Sequence, residues 1–273
     1  MCRLGQGLLV FAALILVPAG PLWAQSPQAY PFMDDFETNQ GWGIFEEIVG
    51  GSSCYGAGIG EVARTTDVDF EGSYSLRVWA NKALSPKSNH VIGQKQISTT
   101  GLNGRFRYQL YAFIAPETAN TGQTGPEFSM QNTRQVSPGQ YRTTTAGIQY
   151  RANPFDTANY GSWAIWAEGL TPGVAGWQVF RTNTLLQAGE WYYMAIEADY
   201  STNRYVRFWV RGPGVHLSLD VSGYRIAQET KFTQEAFWLT LESENLFNNC
   251  GTAGNFQYKV YYDDVKLKHL GAP

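Results

Sequence analysis

Polar and apolar residues alternate with a period of two along much of this chain. Successive side chains of an extended strand point to opposite faces, so alternation of this kind marks half-buried β-strands. The alternating runs are rich in Val, Ile, Tyr, Phe, Trp and Thr. Clusters of Gly, Pro, Asn and Ser separate them. No segment of helical length sustains a 3.6-residue period. The pattern is that of an all-β protein, a two-sheet antiparallel β-sandwich.

Strands are predicted near Phe32–Phe36, Ser73–Ala80, Val91–Ile97, Gly104–Ile114, Glu127–Met130, Tyr141–Arg151 and Ser162–Ala167. Others follow near Gly176–Arg181, Glu190–Asp199, Arg204–Arg211, His216–Asp220, Ala236–Ser243 and Phe256–Lys268. Ala115–Gly125 and Asn153–Gly161 read as the long loops. Alternation assigns Leu76 and Val78, Phe106 to Ala112, Ala146 to Tyr150, Tyr192 to Ala198, and Val206, Phe208 and Val210 to inward files. The outward files carry Arg77 and Trp79; Arg105, Arg107, Gln109 and Tyr111; Thr145, Gly147, Gln149 and Arg151. Two more carry Trp191, Tyr193, Glu197 and Asp199, then Tyr205, Arg207, Trp209 and Arg211. If these strands are neighbours, one sheet face combines planar rings with bidentate hydrogen-bonding groups.

The N-terminus departs from this pattern. Arg3 precedes an unbroken apolar run, Gly7–Val17; Pro18, Gly20 and Pro21 end it, and Leu22-Trp23-Ala24 follows. That is the order of a secretory signal. The run is shorter than the roughly 20 residues of a membrane span. Residues 1–24 are therefore expected to be removed, leaving a mature protein without a membrane span, secreted to the extracellular space or the periplasm. Residues 25–273 suit a single sandwich domain. Of three cysteines, Cys2 leaves with the signal. Cys54 and Cys250, an even count in an exported chain, are expected to pair. A disulfide closing so long a loop stabilises by on the order of 4 kcal/mol.

A net charge of −3 without a basic stripe excludes nucleic acid as a partner. The sequence has no G-x-S-x-G elbow, H-E-x-x-H helix, P-loop or dinucleotide fingerprint.

Several segments resemble the concanavalin A-like sandwiches, a superfamily that includes laminin-G-like domains and carbohydrate-binding jelly rolls. They are Asp34-Asp35-Phe36-Glu37 with Gly41-Trp42, Phe70-Glu71-Gly72-Ser73-Tyr74-Ser75-Leu76-Arg77-Val78, Gly189-Glu190-Trp191-Tyr192-Tyr193, and Tyr262-Asp263-Asp264-Val265-Lys266-Leu267. The resemblance implies a jelly roll whose last strand pairs with its first. It also implies a structural Ca²⁺ on Glu37 and Asp264, with Asp35 and Asp263 as further donors, since calcium takes six to eight hard oxygens.

The leading functional expectation is binding of an oligo- or polysaccharide, without chemistry, on the polar aromatic face. Tyr and Trp offer flat apolar area to sugar C–H faces, and Arg and Gln offer fixed donors and acceptors. Arg107, Tyr111, Gln149, Arg151, Tyr193, Arg207 and Trp209 are the candidates. An alternative is a polysaccharide-degrading enzyme. Glu197 and Glu242 lie mid-strand, with Glu168 and Glu244 near strand ends, and could supply a hydrolase pair; each could equally pair with Arg207 or Arg151 across strands. A lyase would need a base such as Tyr193, because His90, His216 and His269 fall at strand ends. A third reading is an extracellular structural, protein-binding module.

Overall fold

The computed structural model describes residues 32–47, 59–81, 89–116, 123–152, 157–169, 174–230, 232–245 and 257–271. The expected leader and the expected Cys54–Cys250 pair lie outside these residues. The described residues form β1 (Phe32–Asp34), β2 (Gly43–Glu47), β3 (Ile59–Thr65), β4 (Ser75–Asn81), β5 (Asn89–Ser98), β6 (Arg105–Ile114), β7 (Gln123–Ser137) and β8 (Gln140–Arg151). These are followed by β9 (Ser162–Glu168), β10 (Ala175–Phe180), β11 (Trp191–Asp199), β12 (Arg204–Gly212), β13 (Val215–Asp220), β14 (Ala227–Glu229), β15 (Ala236–Asn245) and β16 (Gln257–His269). Among the described residues no helix is long and apolar enough to cross a membrane.

The strands make two eight-stranded antiparallel sheets packed as a jelly-roll sandwich. Sheet A runs β13-β12-β11-β6-β16-β4-β3, and sheet B runs β10-β9-β8-β7-β15-β5-β2. β1 adds to β16 in sheet A, so the first and last strands pair, with Phe32 opposite Leu267. β14 adds to β8 in sheet B.

The inward files meet in one core. Sheet A contributes Leu76, Val78, Phe106, Leu110, Met194, Ile196 and Phe208; sheet B contributes Phe128, Met130, Ile148, Trp163, Ile165, Leu239 and Leu241. The expected inward residues of β4, β6, β8 and β11 are all buried there. β12 differs. The register slips where Glu197 and Ala198 face Arg207 and Tyr205, leaving Val206 as the extra residue of a bulge. Strict alternation therefore fails, and Tyr205, expected outside, is buried while Val206 is half-exposed. A bulge shifts every side chain beyond it to the other face.

Three strands escaped the alternation reading: β2, β3 and the short β14. β7 is 15 residues long, and its ends overrun the expected Glu127–Met130 segment into polar Asn132-Thr133-Arg134-Gln135 and into the expected loop before Gly125. Those polar residues are held by pairing with β8 and β15 rather than by an apolar face.

Buried tyrosines of sheet A cross the core and end on the backbone of sheet B. Tyr108 donates to the Thr240 carbonyl (3.1 Å), Tyr258 to Gly125 (2.6 Å) and Tyr205 to Trp166 (2.5 Å). Tyr262 Oη accepts the Glu127 N–H (3.1 Å) and donates to the Glu242 carbonyl (2.5 Å). It sits at an irregularity between Glu242 and Glu244, where the ladder of β15 with β7 is interrupted. Buried backbone groups that miss a ladder partner need another one. Tyr262→Phe should therefore cost about 1–3 kcal/mol, seen as a lower thermal midpoint; an unchanged midpoint would mean the hydroxyl holds nothing.

Candidate functional site

The outer face of sheet B carries the deepest chemistry of the molecule. Its side chains lie in rows set by register. One row crosses Ile92, Glu242, Glu127, Gln149 and Ala164. The next crosses Gln94, Thr240, Ser129 and Gly147 and reaches the tryptophan pair Trp166 and Trp177. A cleft of about 300 Å³ opens over these rows, lined also by His90, Gln131, Thr145, Glu229 and Glu244. Gly147 keeps its floor low: a Cβ there would come within 3.2 Å of the Ser129 Cβ. The half-buried indoles of Trp166 and Trp177 meet edge to face at 5.2 Å.

At the floor, donor atoms of His90, Glu127 and Glu242 lie within 4.8 Å of one another. All three side chains are buried. His90 Nε2 is 2.7 Å from Glu242 Oε2, and the Thr240 hydroxyl donates to Glu242 Oε1. Gln149 Nε2 donates to Glu127 Oε2. Burial drives the Glu127 carboxyl well above the ordinary carboxylate range, and the charges of Glu242 and Glu244 add to the rise against His90 and Gln149, which oppose it. Burial thus favours the protonated form of Glu127, beside the Glu242 carboxyl. Neighbouring carboxylates whose proton affinities are driven apart are the usual arrangement of an acid and its partner. The same three side chains have the donor types to hold a divalent metal.

The expected face of arginines and rings is split between the sheets. β4, β6, β11 and β12 are neighbours or near neighbours in sheet A, but β8 belongs to sheet B. Arg107, Tyr111, Tyr193, Arg207 and Trp209 therefore share one face, and Gln149 and Arg151 stand on the opposite side of the sandwich. Within sheet A these groups engage one another. Glu197 is buried under Arg105 and Arg107, with Arg107 Nη2 at 2.9 Å. The Arg107 guanidinium covers Trp209 at 4.8 Å, and Tyr111 stacks on Phe70 at 3.6 Å and meets Tyr193 edge-on at 5.6 Å. Arg207 reaches Ser218 (3.2 Å). In sheet B, Arg151 lies beyond the cleft lining, over Trp177 at 5.5 Å.

Of the expected carboxylates the cleft contains Glu242 and Glu244, while Glu197 stands on sheet A and Glu168 is not in the lining. His90, set aside as preceding a strand, lies within β5 and faces the cleft. Glu127, Trp166, Trp177 and Glu229 were missed. For Glu127 a signal existed: an acid on the polar file of an alternating run, Glu127-Phe128-Ser129-Met130-Gln131, like Glu242 in its own strand. Trp166 sits in a nearly continuous apolar run, which gives no face.

The acids of the terminal strands anchor backbone. Glu37 Oε1 accepts the amides of Ser73 (2.7 Å) and Tyr74 (3.0 Å), close against Gly72, whose φ is +89°. Asp264 is neutralised by Lys266 at 2.6 Å. Asp35 accepts the Glu37 amide (3.1 Å). Asp263 accepts those of Phe70 (2.9 Å) and Asp264 (2.7 Å), and burial lifts it to about 6. Committed in this way, they are a poor fit to the calcium set expected of Glu37 and Asp264, and no step below passes through a metal.

The sequence matches no protein-family model and no curated protein. Solved structures share its fold. An endo-β-1,4-glucuronan lyase from the fungus Trichoderma reesei aligns with a TM-score of 0.54 and 14% identity over 88% of this chain and 96% of that one. A PL-14 alginate lyase from Aplysia kurodai aligns with a TM-score of 0.47 and 8% identity, over 76% and 87% of the two chains. At such identities the likeness is one of fold alone, a two-sheet jelly-roll sandwich.

Glu127 also makes a stability prediction. Its folded proton affinity exceeds the unfolded one, so its stabilisation is full below the ordinary carboxylate range and is lost as pH rises through the folded value. Glu127→Gln keeps the shape without the proton. The variant's melting temperature relative to the parent should therefore climb from acid to alkaline pH, by roughly 2–4 °C per kcal/mol relieved. A pH-independent difference would show that Glu127 is not held protonated.

Proposed function

We propose that this protein binds a saccharide chain in the cleft of sheet B and hydrolyses its glycosidic bond. The observation that carries the reading is the pair itself: a buried, proton-holding Glu127 beside Glu242, their oxygens within 4.8 Å, in an open cleft that two indoles also line. Trp166 and Trp177 would take the apolar faces of sugar rings. Glu127 would protonate the departing glycosidic oxygen. The Glu242 carboxylate, oriented by Thr240 and His90, would attack the anomeric carbon. The resulting glycosyl ester would then be opened by a water that gives its proton back to Glu127. A close carboxyl spacing suits this double displacement, which retains the anomeric configuration, whereas inversion needs a wider gap for water.

The binding-only reading leaves the buried acids without a purpose, and perturbed acids in a cleft favour chemistry. Elimination, the reaction named for the fold relatives, requires a uronate carboxylate to be neutralised. Gln149 and Gln131 line the cleft, but among the described residues no Arg or Lys does. Hydrolysis asks for no such cation. An exported location, as the leader implies, would place the protein among polymers too large to cross a membrane.

The test is a polysaccharide panel scored for retention, reducing ends and ultraviolet-absorbing unsaturated ends. Reducing ends alone are expected, with the anomer retained in the product. Glu127→Gln and Glu242→Gln should each lower the rate by about 10²–10⁴-fold while retention on the polymer persists. Unsaturated ends would move the reaction to elimination. Retention without products from any polymer would return the protein to a binding role.

A further inference from the structure

The charge of the cleft is the reverse of what an anionic sugar needs. Among the described residues its lining holds four carboxyl side chains, Glu127, Glu229, Glu242 and Glu244, against one imidazole, His90. The guanidinium of Arg151 lies outside that lining, over Trp177. Two acceptors are left to a ligand. Gln149 is 1% exposed, and with its Nε2 spent on Glu127 its Oε1 has no donor. The Thr145 hydroxyl, two rows further along the same strand, is likewise buried without a partner. Buried polar atoms without partners are rare in folded proteins and call for an explanation such as a missing ligand group.

Glu229 completes the pattern. It stands on β14 opposite Thr143, half-buried at the cleft wall, and has no ion-pair partner among the described residues. A half-buried carboxylate attracts a cation more strongly than an exposed one, because less water screens it. The cleft therefore presents acceptors and negative charge to whatever lies across its indoles.

The geometry points to a donor-rich, cationic saccharide: a polymer of amino sugars carrying free amines, bound with an ammonium group at Glu229 and hydroxyl or amine donors at Gln149. The inference rests on reading this cleft as a saccharide site and adds the substrate class. An N-acetylated sugar would bring an amide without charge. A polyuronate would set carboxylates against carboxylates in a partly dry cleft, where like charges repel strongly.

The experiment uses calorimetry on the full-length mature chain carrying Glu127→Gln, which blocks turnover while replacing a neutral carboxyl by a neutral amide. Four hexasaccharides are compared at mildly acidic pH: glucosamine, N-acetylglucosamine, glucose in β-1,4 linkage, and a hexauronate. The glucosamine oligomer should bind about tenfold or more tighter than the N-acetylated one, the size of a charged hydrogen bond. Its advantage should shrink with added salt and be lost with Glu229→Gln in the same background. Equal or tighter binding of the N-acetylated, neutral or uronate oligomer overturns the inference, as does an amine preference that salt does not touch. Cleavage by the unmodified protein is scored separately. Amine-selective binding without cleavage of any oligomer supports this inference and removes the hydrolytic reading. Cleavage without amine preference does the opposite.

Discussion

The phenol of Tyr262 leaves sheet A, crosses the core and ends between the backbones of Glu127 and Glu242, which it bonds at 3.1 and 2.5 Å. Those two residues are also the acid pair of the cleft on the far side of sheet B. One hydroxyl thus fixes the spacing of two strands at the point where their side chains must be held apart. Hydrophobic packing alone would hold the sheets together without setting that register, because it is non-directional. Tyr108 and Tyr205 repeat the device at Thr240 and Trp166, so the residues that orient the cleft are each tied through the core to the opposite sheet. Burial pushes the phenols of Tyr108 and Tyr262 well above the ordinary tyrosine range, which keeps them neutral donors.

That rigidity answers an electrostatic problem. Carboxylates removed from water resist ionisation, and two of them side by side resist it further. The fold resolves this by unequal treatment. Glu242 receives the Thr240 hydroxyl and His90, while Glu127 receives one amide donor and keeps its proton. On the other sheet the same problem has the opposite solution. Glu197, as deeply buried, is ion-paired by Arg105 and Arg107 and has no access to solvent. Two mid-strand glutamates that look equivalent in sequence therefore differ in chemistry because of the partners their neighbouring strands bring.

Those partners are what sequence periodicity does not contain. Alternation shows which residues of β6, β8 and β11 share a face of their own strand, because that depends only on the pleat. It does not show that β6 pairs with β11 and β16, since these contacts join segments far apart in the chain, nor that the hairpin of β7 and β8 lies in the opposite sheet. The imagined face of Arg107, Tyr193 and Gln149 dissolved for this reason, with every side chain on the side of its strand that alternation gave it. His90 falls just before the alternating run that begins at Val91, so alternation puts it at a strand end. Pairing with Glu244 of β15 on one side and Glu47 of β2 on the other makes it strand. Tyr205 was lost to a bulge, which is a property of two strands rather than one.

Fold and charge in this molecule answer different questions. The sandwich supplies a broad sheet face, and its fold is shared with structures of very low sequence identity. Which polymer suits the face is decided by a handful of side chains that the backbone does not prescribe. Replacing cations by glutamates around a cleft leaves the core untouched, because outward positions of a strand contribute little to packing. The face can therefore change the sign of its charge while Tyr262, Phe128 and Leu239 stay in place beneath it. The proposed chemistry therefore resides in Glu127, Glu229, Glu242 and the two indoles, and the fold accounts only for how they come to stand on one surface.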